Sequence, residues 1–148
     1  MAAASRALGR AVGQARFAHA AGTTLEDGTD ESDLKRGLLA ADFVPDEFAS
    51  REPAAALLWA RVQLLAGRPV IACVAHHSHW VTLVGVLGKA YVVFDPGRFE
   101  YRVNSGVSVV TADRLRRWWR AGGAIARRHR TVYYGLSVCD GRRWCESY

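Results

Sequence analysis

No stretch of this sequence approaches the about 18 consecutive apolar residues that cross a bilayer, so a spanning helix is excluded and a soluble chain is expected. Cysteine is scarce. Three residues, Cys73, Cys139 and Cys145, match neither a zinc-ligand spacing nor the disulfide framework of a small secreted domain, which predicts a reducing, cytoplasmic setting. Acid is missing from the first 22 residues, which carry Arg6, Arg10, Arg16 and much alanine. That composition suits a mitochondrial transit peptide, whereas Leu8, Val12 and Ala15 at helical spacing predict an internal helix packed on a sheet. Nothing marks a second domain. The 148 residues, half of them apolar, are expected to form one domain over 1–138 with a polar tail at 139–148. A chain of this size buries roughly 68–70% of its unfolded surface.

What charge there is lies unevenly. Residues 1–74 carry eight Lys/Arg against nine Asp/Glu, and residues 75–148 carry twelve against five, so the net +6 resides in the second half. Arg114, Arg116, Arg117 and Arg120, then Arg127, Arg128 and Arg130, have the composition of a phosphate-facing surface with Trp118 and Trp119 as stacking planes. The same residues read as the solvated side of a helix whose Leu115, Trp118 and Trp119 face the core, and the amphipathic spacing favours this second reading. No nucleic-acid-binding signature accompanies the arginines.

Two helices follow the opening segment. Thr29 suits an N-cap, with Asp30, Glu31 and Asp33 in the first turn where the helix dipole favours negative charge; the helix is expected to run to about Ala41, with Leu34, Leu38 and Ala41 on one face and Phe43 and Phe48 filling the core beside it. Ser50 caps the next, with Pro53 in its first turn and an apolar stripe of Leu57, Leu58, Val62 and Leu65. Gly67 ends it and Pro69 prevents its continuation.

The chemically loaded stretch is Pro69 to Pro96. Val70 to Val74, Trp80 to Val86 and Ala90 to Phe94 read as strands, the last two joined by a tight turn at Leu87-Gly88-Lys89. Such a hairpin brings His79, at the entry of one strand, beside Asp95, at the exit of its partner. A carboxylate that orients an imidazole, leaving the other ring nitrogen to serve a nucleophile, is half of a catalytic triad; a structural histidine hydrogen-bonded to Asp95 is the alternative. The run His76-His77-Ser78-His79 lacks a carboxylate or thiol at a familiar ligand spacing, so no metal and no cofactor is expected. Cys73 alternates with Ala72 and Val74 in an apolar strand, as a buried core cysteine does. After Asp95, Val107 to Val110 reads as a strand leading into a helix capped by Thr111, and Thr131 to Val138 as the closing strand.

These residues resemble the papain-like cysteine peptidases that remove double-glycine leaders from bacteriocin precursors. The likeness rests on His79-Trp80 opening a β-branched strand with Gly85, a glycine turn, and Tyr91-Val92-Val93-Phe94-Asp95-Pro96. Upstream, Ala20-Ala21-Gly22-Thr23-Thr24, then Gly28-Thr29 and the Asp33-Leu34 helix, is similar to the segment behind that family's nucleophile helix. Downstream, Thr111-Ala112-Asp113-Arg114-Leu115 with Trp118 resembles its late helix. The likeness covers about Met1 to Val138. It implies an α+β, papain-like fold with N-terminal helices packed on an antiparallel sheet, His79 and Asp95 as catalytic residues, and a peptide or protein as substrate or ligand.

One departure bears directly on chemistry. The family's Cys opens the first helix, with an oxyanion-stabilising Gln several residues earlier, and neither is found here. Ala2-Ala3-Ala4-Ser5 matches the small residues that follow the nucleophile, so Met1 stands near the thiol's place. The expectation is a truncated or non-catalytic relative. The competing expectation is a non-enzymatic basic domain whose Arg-rich C-terminal half contacts an acidic protein or nucleic acid. The oligomeric state is open.

Overall fold

The computed structural model describes residues 2–10, 12–23, 29–75, 79–95, 106–120 and 133–144. Three helices come first: α1 (Ala2–Ala7), α2 (Gln14–Ala21) and α3 (Glu31–Ala40). The single opening helix expected from Leu8, Val12 and Ala15 is divided in two. Gly9 adopts φ +73, a left-handed conformation that glycine takes at no steric penalty, and Leu8 and Val12 pack against the core from outside either helix. Asp30 rather than Thr29 caps α3, its carboxylate accepting from the Asp33 amide at 2.8 Å; the shorter carboxylate arm one residue on satisfies the same orphan donor. Leu34 and Leu38 turn inward as expected.

Helices α2 and α3 meet at Gly37. A Cβ there would lie 2.7 Å from the Phe17 ring and 2.9 Å from the Ala21 Cβ. Gly37→Ala is therefore expected to be a net loss despite alanine's better helix propensity, since overpacking a filled contact costs about 1–3 kcal/mol. A lowered urea midpoint checks this, and an unchanged one would show that α2 shifts freely.

The sheet has six strands, β1 (Phe43–Ser50), β2 (Val70–Val74), β3 (His79–Leu87), β4 (Ala90–Phe94), β5 (Val107–Thr111) and β6 (Tyr133–Asp140). They lie in the order β1-β6-β2-β3-β4-β5, each neighbouring pair antiparallel. The first strand is not evident in the sequence, because Pro45, Asp46 and Glu47 interrupt any apolar alternation. At the sheet's rim, paired on one side only to β6 from Phe43↔Asp140 to Ser50↔Tyr133, a proline is tolerated. Phe43 is buried within it and Phe48 stacks on Trp59 at 4.5 Å.

Between β1 and β2 runs α4 (Pro53–Leu65), capped at Glu52 rather than Ser50. Its buried face is Ala56, Ala60 and Leu64, not the expected stripe; Leu58, Val62 and Leu65 are 64%, 54% and 66% exposed. Small side chains one turn apart let the helix lie close on the sheet, and the branched residues are left outside. After β5 comes α5 (Ala112–Trp118), with Thr111 Oγ1 accepting from the Arg114 amide at 3.3 Å. The short α6 (Gly141–Trp144) follows β6. The closing strand therefore extends past Val138, and Cys139 is buried in β6 instead of starting a polar tail.

Two cores result, one on each face of the sheet. Helices α4 and α5 cover Val70, Ala72, Val74, Val81, Leu83, Tyr91 and Val93 on one side. Helices α1, α2 and α3 cover Ile71, Cys73, Tyr134, Leu136 and Val138 on the other. The alternation of these numbers along β2 and β6 is the two-residue period of a pleated strand. The architecture is α+β and papain-like, with N-terminal helices against an antiparallel sheet.

Candidate functional site

His79 is the first residue of β3 and Asp95 the first after β4. The register Thr82↔Phe94 sets Asp95 one step beyond its strand's end and diagonal to His79, a separation that long side chains bridge. They do so: His79 Nε2 lies 2.8 Å from Asp95 Oδ1, with the carboxylate buried and the imidazole 23% exposed. A neutral imidazole that donates from Nε2 to the carboxylate carries its lone pair on Nδ1, the nitrogen that takes a proton. The backbone of Asp95 is tied as well. Its amide donates to Gly106 O at 2.8 Å, immediately ahead of β5, and Gly106 holds φ +69 in doing so. The hairpin sets the carboxylate's position, and this second tie holds it from the far side.

Trp80 Nε1 donates to Thr29 O at 2.8 Å, fastening the start of α3 to β3, and its ring meets Tyr134 edge-on at 6.1 Å. Tyr134 donates in turn to Glu47 Oε1 at 2.8 Å. Burial chiefly, and then the hydrogen bond to Glu47 and the negative charges of Glu47 and Glu31, push the Tyr134 phenol far above its ordinary value. Glu31, expected to be an exposed dipole-facing residue, is 2% exposed. Nothing in its sequence context signals that burial.

Cys73 pairs across the strands with Trp80, while Val74 pairs with His79. Successive residues point to opposite faces, so the Cys73 thiol lies across the pleat from His79, wholly buried among apolar side chains. Cys139 is at the other end of the sheet, opposite Val44, and Cys145 lies outside the described residues. Helix α1 packs on β3, and Ala4 joins the cluster that includes Cys73 and Trp80. Six residues later Arg10 bonds Asp42 O and Asp140, at the end of the sheet remote from His79. The helix thus heads back toward the end at which His79 opens β3.

His76, His77 and Ser78 lie outside the described residues, as do Pro96, Arg127, Arg128 and Arg130. Among the described residues no group of three His, Cys, Asp or Glu side chains converges as a metal site, and no helix is long and apolar enough to cross a membrane. On α5, Arg114, Arg116 and Arg117 face solvent, with Arg120 exposed just beyond the helix, whereas Leu115, Trp118 and Trp119 are buried. Asp113 pairs with Arg116 at 2.9 Å and with Arg117, and the hydrogen bond from Arg116 and the charge of Arg117 hold its carboxyl below the usual range.

No family model and no curated protein matches this chain. Among solved structures it is similar to the peptidase domain of Streptococcus ComA, a bi-functional ABC transporter involved in a quorum-sensing pathway. The TM-score is 0.58 at 11% sequence identity, over 92% of this chain and 85% of that one. At that identity the likeness is one of fold, and the fold shared is that of a cysteine peptidase domain.

Proposed function

We propose that the chain is a cysteine-peptidase-like domain of the double-glycine-leader type, with His79 as the base and Asp95 as the carboxylate that orients it. The observation that carries this reading is the 2.8 Å contact between His79 Nε2 and Asp95 Oδ1 within a fold shared with a peptidase domain. With a cysteine at the head of α1, the chemistry runs as follows. Nδ1 of His79 takes the thiol proton, and the sulfur attacks the scissile carbonyl carbon. The tetrahedral oxyanion collapses to a thioester as His79 returns the proton to the departing amine. Water, deprotonated by the same imidazole, then opens the thioester to a carboxylic acid and the free thiol. The buried carboxylate stabilises the imidazolium at each stage.

The 148 residues set no thiol beside that imidazole among the described cysteines, so in this form the domain holds a peptide without cutting it. Two proteins test the reading: this chain, and one extended so that a Gln and, six residues later, a Cys precede α1. Cleavage of a double-glycine leader peptide by the extended protein alone is the expected result. Cleavage by the 148-residue chain would overturn the assignment of the nucleophile, and inactivity of both would overturn the peptidase reading.

The exposed arginines of α5 favour a second reading, a basic surface for an acidic partner. Ionic strength separates the two. Binding to phosphates falls steeply with salt as counterions are released, whereas capture of a leader peptide by apolar contact changes little.

A further inference from the structure

A cavity of about 340 Å³ opens where α2, the turn after α3 and α6 meet, and its wall carries Arg10, Arg16, Arg142 and one carboxylate, Asp42. It lies by Asp140, at the end of the sheet opposite His79 and Asp95, and plays no part in the chemistry above. We propose that this cavity binds a small oxyanion-bearing ligand, a phosphate or carboxylate carried on a short apolar body, through Arg16 together with Arg10 and Arg142.

Two of the three guanidiniums are already set in place. Arg10 donates to Asp42 O and to Asp140 Oδ1, both at 3.2 Å, and lies 4.5 Å over the Phe43 ring. Arg142 bonds Asp42 Oδ2 at 3.0 Å, and Arg10 approaches the same oxygen at 3.7 Å. Each guanidinium has five N–H donors, and one carboxylate shared between two of them, with Asp140 behind, cannot accept them all. Arg16 has no hydrogen-bond or ion-pair partner among the described residues. Counting Asp42 and Asp140 against three arginines leaves a net positive charge at the cavity. The planar fork of arginine matches carboxylate and phosphate oxygens in pairs. Gly13, at the head of α2, lines the same wall and offers no side-chain cap, so that helix end adds to the positive field.

The remaining wall is apolar, with Val12, Phe17, Ala20 and Ala40. It suits a few carbons behind the anionic head. A volume near the lower end of ligand pockets, which run about 300–1,000 Å³, excludes a dinucleotide and fits a phosphate monoester or a small carboxylic acid.

The test is titration of the 148-residue protein at low chloride with three probes, inorganic phosphate, phenyl phosphate and benzoate, followed by calorimetry and by the amide resonances of Gly13 and Gly37. Saturable binding is expected, tighter for phenyl phosphate than for inorganic phosphate, and the ratio of phenyl phosphate to benzoate identifies which oxyanion the site prefers. Arg16→Ala, which removes an exposed side chain and no bond of the fold, is expected to weaken binding about tenfold or more at an unchanged melting temperature. Arg114→Ala on α5 removes the same charge elsewhere and should leave binding as it was. Absence of saturation for all three probes, equal affinity in Arg16→Ala, or an equal loss in Arg114→Ala would each overturn the proposal, the last by showing that net charge alone attracts the anion.

Discussion

In a protein that carries a cysteine ahead of α1, His79→Ala is expected to abolish thiol-dependent cleavage. A positioned general base contributes about 10²–10⁴ in rate. Here the loss should exceed that range, because the same imidazole activates the thiol, protonates the leaving amine and later deprotonates water. Asp95→Asn separates orientation from charge. An asparagine oxygen still accepts from Nε2, so the ring keeps its place, but the imidazolium loses its stabilising negative charge. A partial loss is expected, smaller than that of His79→Ala. Cleavage rates of the three proteins, each shown to be folded by its melting temperature, decide the matter. If His79→Ala cleaves as fast as the parent, the imidazole is only a core histidine satisfied by Asp95.

Trp119→Ala is expected to have the largest effect on stability. The ring is wholly buried, its Nε1 donates to Tyr134 O at 2.8 Å, and it touches Tyr133 edge-on at 6.3 Å and Trp59 at 6.4 Å. Gly135 makes room for it, since a Cβ there would lie 3.2 Å from Trp119 Cζ2. Removing a buried aromatic of this size costs about 3–5 kcal/mol, a large share of the about 5–15 kcal/mol that holds a domain together. Trp119→Phe separates packing from hydrogen bonding. It keeps most of the apolar contact and strands the Tyr134 carbonyl, a loss of about 1–3 kcal/mol. Urea unfolding read by circular dichroism gives both values. A loss below about 1 kcal/mol for the alanine variant would mean that the core closes over the gap.

The parts of the fold that are legible in the sequence are those in which one local pattern decides. The run from Val70 to Phe94 is visible residue by residue, because β-branched side chains and a single glycine turn leave the chain no competing periodicity. His79 and Asp95 could be matched for the same reason, since a hairpin's register follows from its turn. The first strand is hidden because its identity depends on β6, some 90 residues away, which pairs with Pro45 and two acids that carry no strand signal of their own. On α4 the long apolar residues draw the eye to Leu58 and Val62, yet alanines face the sheet. Which side of a helix is buried depends there on how near the partner lies, a distance set by tertiary packing. The burial of Glu31 beside Tyr134 and Glu47 likewise arises only once three separate segments meet.

The two rims of the sheet are unequally guarded. Along β1 a proline and two acids deny an approaching backbone both a donor and a neutral face, as protective edges do. The opposite rim, β5, bears no charged side chain and leaves Val107 and Val109 40% and 59% open to solvent. Crowded preparations of this protein should therefore join flank to flank through β5, and a lysine in place of Val109 should keep them dispersed.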